Sequence, residues 1–219
     1  MLPFGSMWTI DLHSLVANGG ELIPNNTLTI QLGIIVSSSK EESIASLVKD
    51  LVSMYNDKQF SDVRIVCGSE VFHVHKLILC ARSPVFKGML SHENLETKEG
   101  KIVIADTDQA LVQIMLKYMY TNKVEKIEDV AAKLITLADF YQLLELKTMC
   151  EDALCRMLNT ENVMEDLILA DRLGASKLKS LCIKFIMDHK KDVKDTPWKE
   201  VIANNPELCL EIFEKWLAD

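Results

Sequence analysis

Between Phe60 and Leu90 the spacing of apolar residues changes from two to three and four, and no other stretch restricts the fold as much. Val63, Ile65 and Cys67 alternate with Asp62, Arg64 and Val66, the pattern of a half-buried strand. Gly68-Ser69 supplies a tight turn, and a second strand is predicted from Val71 to Val74. From Lys76 the period is helical through Leu77, Ile78 and Ala81. Ser83 precedes a proline, which biases it away from helix, and Pro84 suits the first turn of the next helix. The unit predicted is strand, strand, helix, helix.

The rest of the chain reads as mostly helical. Ile44, Leu47, Val48, Leu51 and Met54 predict an amphipathic helix from about Ile44 to Tyr55, preceded by a linker at 40–43. His92 to Gly100 is a polar loop and Lys101 to Ile104 a short strand. Asp106 or Asp108 then caps a helix carrying Leu111, Val112, Met115, Tyr118 and Met119, which stops at Asn122. Helices follow at Val130 to Tyr141 and Leu143 to Met157. Another runs from Val163 to Leu173 and ends at Gly174, and the next is capped by Ser176. Thr196-Pro197 and Asn205-Pro206 each start one more, the last carrying Ile212, Phe213, Trp216 and Leu217. Upstream, Leu28 to Leu32 and Ile34 to Val36 read as strands, and Trp8-Thr9-Ile10 as an extended segment.

Ordered motifs give this pattern a family resemblance. Phe60-Ser61-Asp62-Val63, Phe72-His73-Val74-His75-Lys76 with Leu79, and Ala81-Arg82-Ser83-Pro84-Val85-Phe86 resemble the signature of a BTB/POZ domain. Within that family the chain is similar to the speckle-type POZ proteins. That likeness continues through Tyr120-Thr121, Ala138-Asp139-Phe140-Tyr141, Leu146-Lys147 and Met149 to Cys155. The run from Asn18 to Ile30 resembles the end of the MATH domain that precedes BTB in those proteins. A β-sandwich needs about seven strands, so most of that domain is missing. The expected class is α+β, a small β-sheet flanked by helices and followed by an all-α region. The expected parts are a MATH-like remnant at 1–39, a linker at 40–43, the BTB/POZ domain at 44–158 and a BACK-like helical region at 159–219.

The resemblance implies protein partners. The first helix is wider in its apolar stripe than one packing surface requires, so it either caps its own domain or meets a two-fold partner. The family favours the second, through Leu47, Leu51, Met54 and Ile78. Docking of a cullin scaffold of a ubiquitin ligase is implied at Met89, Leu90, Leu95, Glu96 and Tyr120. The family places a hydrophobic residue two positions before the glutamate, and here that slot holds Asn94. An unpartnered buried Asn costs a few kcal/mol, so it either lowers cullin affinity or leaves Leu95 to turn inward. Phe213 and Trp216 offer a second surface for self-association, making chains of dimers. The expected function is a dimeric substrate adaptor of a cullin-based ligase. The alternative is a self-assembly module that pairs with related full-length chains without cullin binding.

Composition narrows the other classes. A net charge of -8 opposes binding to a phosphate backbone, so nucleic acid is not an expected partner. No apolar run approaches the length needed to cross a bilayer, and no Lys or Arg occurs before Lys40, so no membrane or secretory role is expected. The location expected is nuclear or cytoplasmic. Six cysteines, at 67, 80, 150, 155, 182 and 209, sit in apolar patterns and read as buried thiols. His73 and His75, with Cys67 and Cys80 nearby, raise a metal or nucleophilic site. They lack an orienting group or a glycine-rich turn, so no enzyme activity, metal or cofactor is expected.

Overall fold

In a computed structural model, which describes residues 39–58, 60–91, 99–189 and 205–218, with backbone alone at 39–44 and 216–218, the period-2 stretch becomes a strand pair. Strand β1 (Val63–Cys67) buries Val63, Ile65 and Cys67 and exposes Arg64, as alternation requires. Strand β2 (Glu70–Val74) pairs with it antiparallel, Ile65 opposite Phe72. The third strand, β3 (Lys101–Ile104), lies on the other side of β1 and runs parallel to it, giving the order β2-β1-β3. A parallel pair needs a crossover, and helices α2 (Lys76–Arg82) and α3 (Pro84–Ser91) lie in that connection. Gly100 enters β3 with φ +58°, and a Cβ there would come within 2.9 Å of the Asp62 carbonyl oxygen. Its own carbonyl accepts from the Arg64 N–H at 2.7 Å, so this close approach depends on glycine.

Ahead of the sheet, helix α1 (Ser39–Asp57) begins earlier than expected and takes in the segment 40–43 that composition marked as linker. Behind it come α4 (Gln109–Thr121), a 3-10 turn (Ile127–Asp129), α5 (Ala131–Phe140) and α6 (Leu144–Met157). The C-terminal region adds α7 (Val163–Leu173), α8 (Ser176–Asp188) and α9 (Pro206–Ala218). The MATH-like segment 1–38 and the Thr196-Pro197 start lie outside the described residues.

The stops are chemical. Asp108 caps α4 by accepting from the Ala110 N–H at 2.8 Å. Asn122 ends that helix in the left-handed region at φ 55°, its N–H on Tyr118 O. Gly174 does the same for α7 at φ 61°. Ser176, expected as the cap of α8, is instead its first residue, and the preceding Ala175 makes no side-chain cap. A different helix supplies the acceptor: Glu151 of α6 takes the Leu178 N–H at 2.9 Å.

One core runs through these elements, from Ile65 and Leu79 through Phe86, Met115 and Leu134 to Leu167 and Leu178, each fully buried. Ser83 lies inside it with no exposure, between α2 and α3. Its hydroxyl donates to Tyr141 O at 2.7 Å and accepts from the Phe86 N–H at 3.2 Å. One side chain thus caps α3 and ties it to the corner after α5, where Phe86 and Tyr141 stack with centroids 4.5 Å apart. Ser83→Ala is expected to lower stability by about 1–3 kcal/mol, since it removes a cap and leaves a buried carbonyl short of a donor. Urea denaturation measures it against Ser53→Ala, whose hydroxyl is exposed and whose loss costs under about 0.5 kcal/mol. Equal midpoints for the two variants would contradict the role given to Ser83.

Candidate functional site

Where β2 hands over to α2, polar groups from distant parts of the chain converge. Asp62, one residue before β1, accepts the Lys76 N–H at 2.7 Å and so caps α2 from outside it. His75 is buried at the helix entrance, with its N–H donating to the Tyr120 hydroxyl at 3.0 Å. That hydroxyl also lies 2.8 Å from His75 Nδ1, and its proton serves the bond when the ring carries hydrogen on Nε2. Burial pushes the Tyr120 phenol up to about 12, so it stays protonated and available as a donor. The tyrosine ring packs on Tyr55 of α1, with centroids 4.9 Å apart. His75 is therefore a structural residue. His73 lies apart from it on β2, beside a hollow of about 230 Å³ shared with Tyr55, Lys58 and Glu70.

The cysteines are similarly placed for packing. Cys67, Cys150, Cys182 and Cys209 are buried, Cys80 and Cys155 half-buried, and all six are free thiols. The Cys67 thiol donates to Thr107 O at 3.2 Å, and burial with the charge of Asp108 pushes its pKa up. Burial likewise holds Cys150 and Cys182 up at about 12, far from the thiolate a nucleophile needs. Among the described residues no group of three His, Cys, Asp or Glu side chains is arranged to hold a metal ion.

What the fold does present is an apolar groove of about 470 Å³ between β3, the outer strand of the sheet among the described residues, and helix α5. Met89 from the end of α3, Leu111 from α4 and Tyr141 line it, with Val103 and Phe140 on its two sides. Val103 is 64% and Phe140 62% exposed, a large apolar area to leave in water. Asp106, Asp108 and Lys133 also line it and give it a charged rim. Such a surface can seat an apolar or aromatic anchor from another protein, with polar contacts around it.

The expected contact residues fall into three groups. Met89 is half-buried and lines the groove. Leu90 and Tyr120 are 1% and 3% exposed, so both fill the core and contribute only by placing their neighbours. Asn94, Leu95 and Glu96 lie outside the described residues. Sequence reasoning passed over Val103 and Phe140, although each carried a signal. Val103 points away from the core between Ile102 and Ile104, and Phe140 closes a helix at a position its apolar period leaves outside.

A second apolar area lies on α1 and α2. Leu47 is 58% and Leu77 77% exposed, while Leu51 and Ile78 are half-buried against the core. Met54 is half-buried on the same stripe of α1 as Leu47 and Leu51. On α9, Leu210 is 60% and Phe213 41% exposed, and the Trp216 side chain lies outside the described ones.

A family model described as BTB/POZ domain matches residues 51–158. Among solved structures, the BTB domain of zebrafish PATZ1 is similar at 22% identity and TM-score 0.46, covering 57% of this chain and 99% of that chain. The BTB domain of human Gigaxonin is similar at 26% identity and TM-score 0.45, covering 59% of this chain and 100% of that one. Such domains are generally interaction modules and not enzymes, typically self-associate as dimers, and bind other proteins. Residues 51–158 of this chain match the BTB/POZ domain, a family of protein-interaction modules, and a helical region follows them.

Proposed function

We propose that the chain is a dimeric adaptor of a cullin-based ubiquitin ligase, with the groove between β3 and α5 as the cullin-docking surface. The observation that carries this reading is the pairing of exposed Val103 and Phe140 across an apolar groove that ends at Met89. A docking partner would bury both, and their desolvation supplies the binding free energy. Resemblance to the speckle-type POZ proteins supports the same reading, with residues 1–39 as a remnant of the substrate-binding MATH domain and 159–219 as a BACK-like region. A nuclear or cytoplasmic location goes with it. Asn94, Leu95 and Glu96 follow Met89 in the sequence after only a few residues.

The dimer is proposed to form through α1 and α2, where Leu47, Leu51, Met54, Ile78 and Leu77 would meet their two-fold copies. A second reading, self-assembly with related chains, is favoured by the exposure of Leu210 and Phe213 on α9, with Trp216 on the same helix.

Calorimetric titration of the full chain with a cullin N-terminal region is expected to give saturable binding. Phe140→Asp is expected to weaken it roughly 30-fold or more, the ~2 kcal/mol of an interface hot spot. No heat with the unsubstituted chain would rule out the cullin reading. Asn94→Met replaces an amide with a flexible apolar side chain and is expected to tighten binding, and unchanged affinity would exclude Asn94 from the contact. In sedimentation, the chain is expected to run as a dimer and Leu47→Asp with Leu77→Asp as a monomer. A dimer in the double variant would place the interface elsewhere. Growth of mass with concentration that Phe213→Asp abolishes is the outcome expected of the α9 surface.

A further inference from the structure

Three polar side chains are buried among the described residues: Ser83, His75 and Asp166. The first two have their hydrogen bonds described above. Asp166, on the inner side of α7 between fully buried Val163 and Ala170, is 5% exposed, and its Oδ2 has no partner. A carboxylate in that position has lost its hydration without gaining a donor.

The groups around it do not compensate. On α7 itself, the neighbouring Glu165 adds negative charge. From α6 comes the Cys155 thiol and from α8 the Cys182 thiol; burial chiefly, and the charge of Asp166 to a smaller extent, pushes both thiols up. Two cations of α8 are engaged elsewhere: Lys177 bonds Asp152 at 2.6 Å, and Lys179 bonds Asp171 and Glu211, both at 2.7 Å. Helix α5 contributes apolar Ala132 to a hollow of about 320 Å³ beside Asp166, and Lys133 lines the docking groove instead. Arg172 also lines the hollow, but it stands nearly two turns beyond Asp166 and no described ion pair joins them. The hollow gives the carboxylate somewhere to go when it is charged.

We propose that Asp166 is a proton-operated latch on the C-terminal helices: protonated, it lets α7 seat against α8 and α5, and ionised, it loosens that seat toward the hollow. Burial first, and Glu165 second, raise its pKa from 3.8 to about 6. The sign follows from linkage. A folded pKa above the unfolded value means that the native state holds its proton longer, so the stabilisation is complete below about pH 4. It declines between about pH 4 and 6 and is gone above that. The latch is therefore closed in mildly acidic conditions and open near neutrality. Nothing in it depends on cullin binding or on the dimer.

Carbon-detected NMR titration of the aspartate carboxyls in the full chain is expected to show Asp166 with a midpoint near 6. Amide hydrogen exchange, corrected for intrinsic rate, is expected to show protection of α7 and α8 falling about tenfold from pH 5 to pH 7.5. Asp166→Asn is expected to abolish that pH dependence, and Asp166→Leu to abolish it while raising protection at pH 7.5. An Asp166 midpoint near 4, or equal protection of α7 at the two pH values, would overturn the latch. So would a dependence that survives in Asp166→Asn, which would assign it to another group.

Discussion

The hydrogen bonds between His75 and the Tyr120 hydroxyl and from the Ser83 hydroxyl to the Tyr141 carbonyl are the interactions on which the surrounding architecture depends. Each crosses a large sequence separation and joins a helix terminus to a distant element, so each sets an angle that apolar packing alone leaves loose. His75 and Tyr120 fix where α2 leaves the sheet relative to α4. Ser83 fixes where α3 starts relative to the corner after α5. The groove inherits its shape from both. Met89 reaches it because α3 points that way, and Phe140 faces β3 because the corner at Tyr141 is held.

Buried polarity is handled differently in the two halves. Around the sheet, Ser83 and His75 have partners and burial keeps Tyr120 protonated, while the Arg82 Nε is left without one although its guanidinium still bonds Asn122. Beyond α6, Asp166 keeps an orphaned oxygen in the core, and exposed or half-exposed ion pairs such as Lys179 with Asp171 and Glu211 add little to offset it.

Much of the fold was legible because its signals are local. The change of period at Lys76, the Ser83-Pro84 break, the Asp108 cap and the left-handed stops at Asn122 and Gly174 each depend on a few neighbouring residues. Long-range choices were not legible. Parallel pairing of β3 with β1 involves residues far apart in sequence, and the capping of α8 by Glu151 required knowing that α6 lies alongside it. The groove was read only in part. Met89 lines it, but Leu90 and Tyr120 are apolar or aromatic residues that the core claims first, whereas Val103 and Phe140 carry their meaning in being left outside. Periodicity tells which residues face inward; it does not tell which outward residues share a surface.

The central functional claim is that partners dock between β3 and α5, and hydrogen-exchange footprinting of the full chain with and without a cullin N-terminal region tests it most directly. The result expected is added protection confined to β3, the end of α3 and the C-terminal half of α5, around Val103, Met89 and Phe140. Protection on α1 or α9 with none along the groove would contradict it.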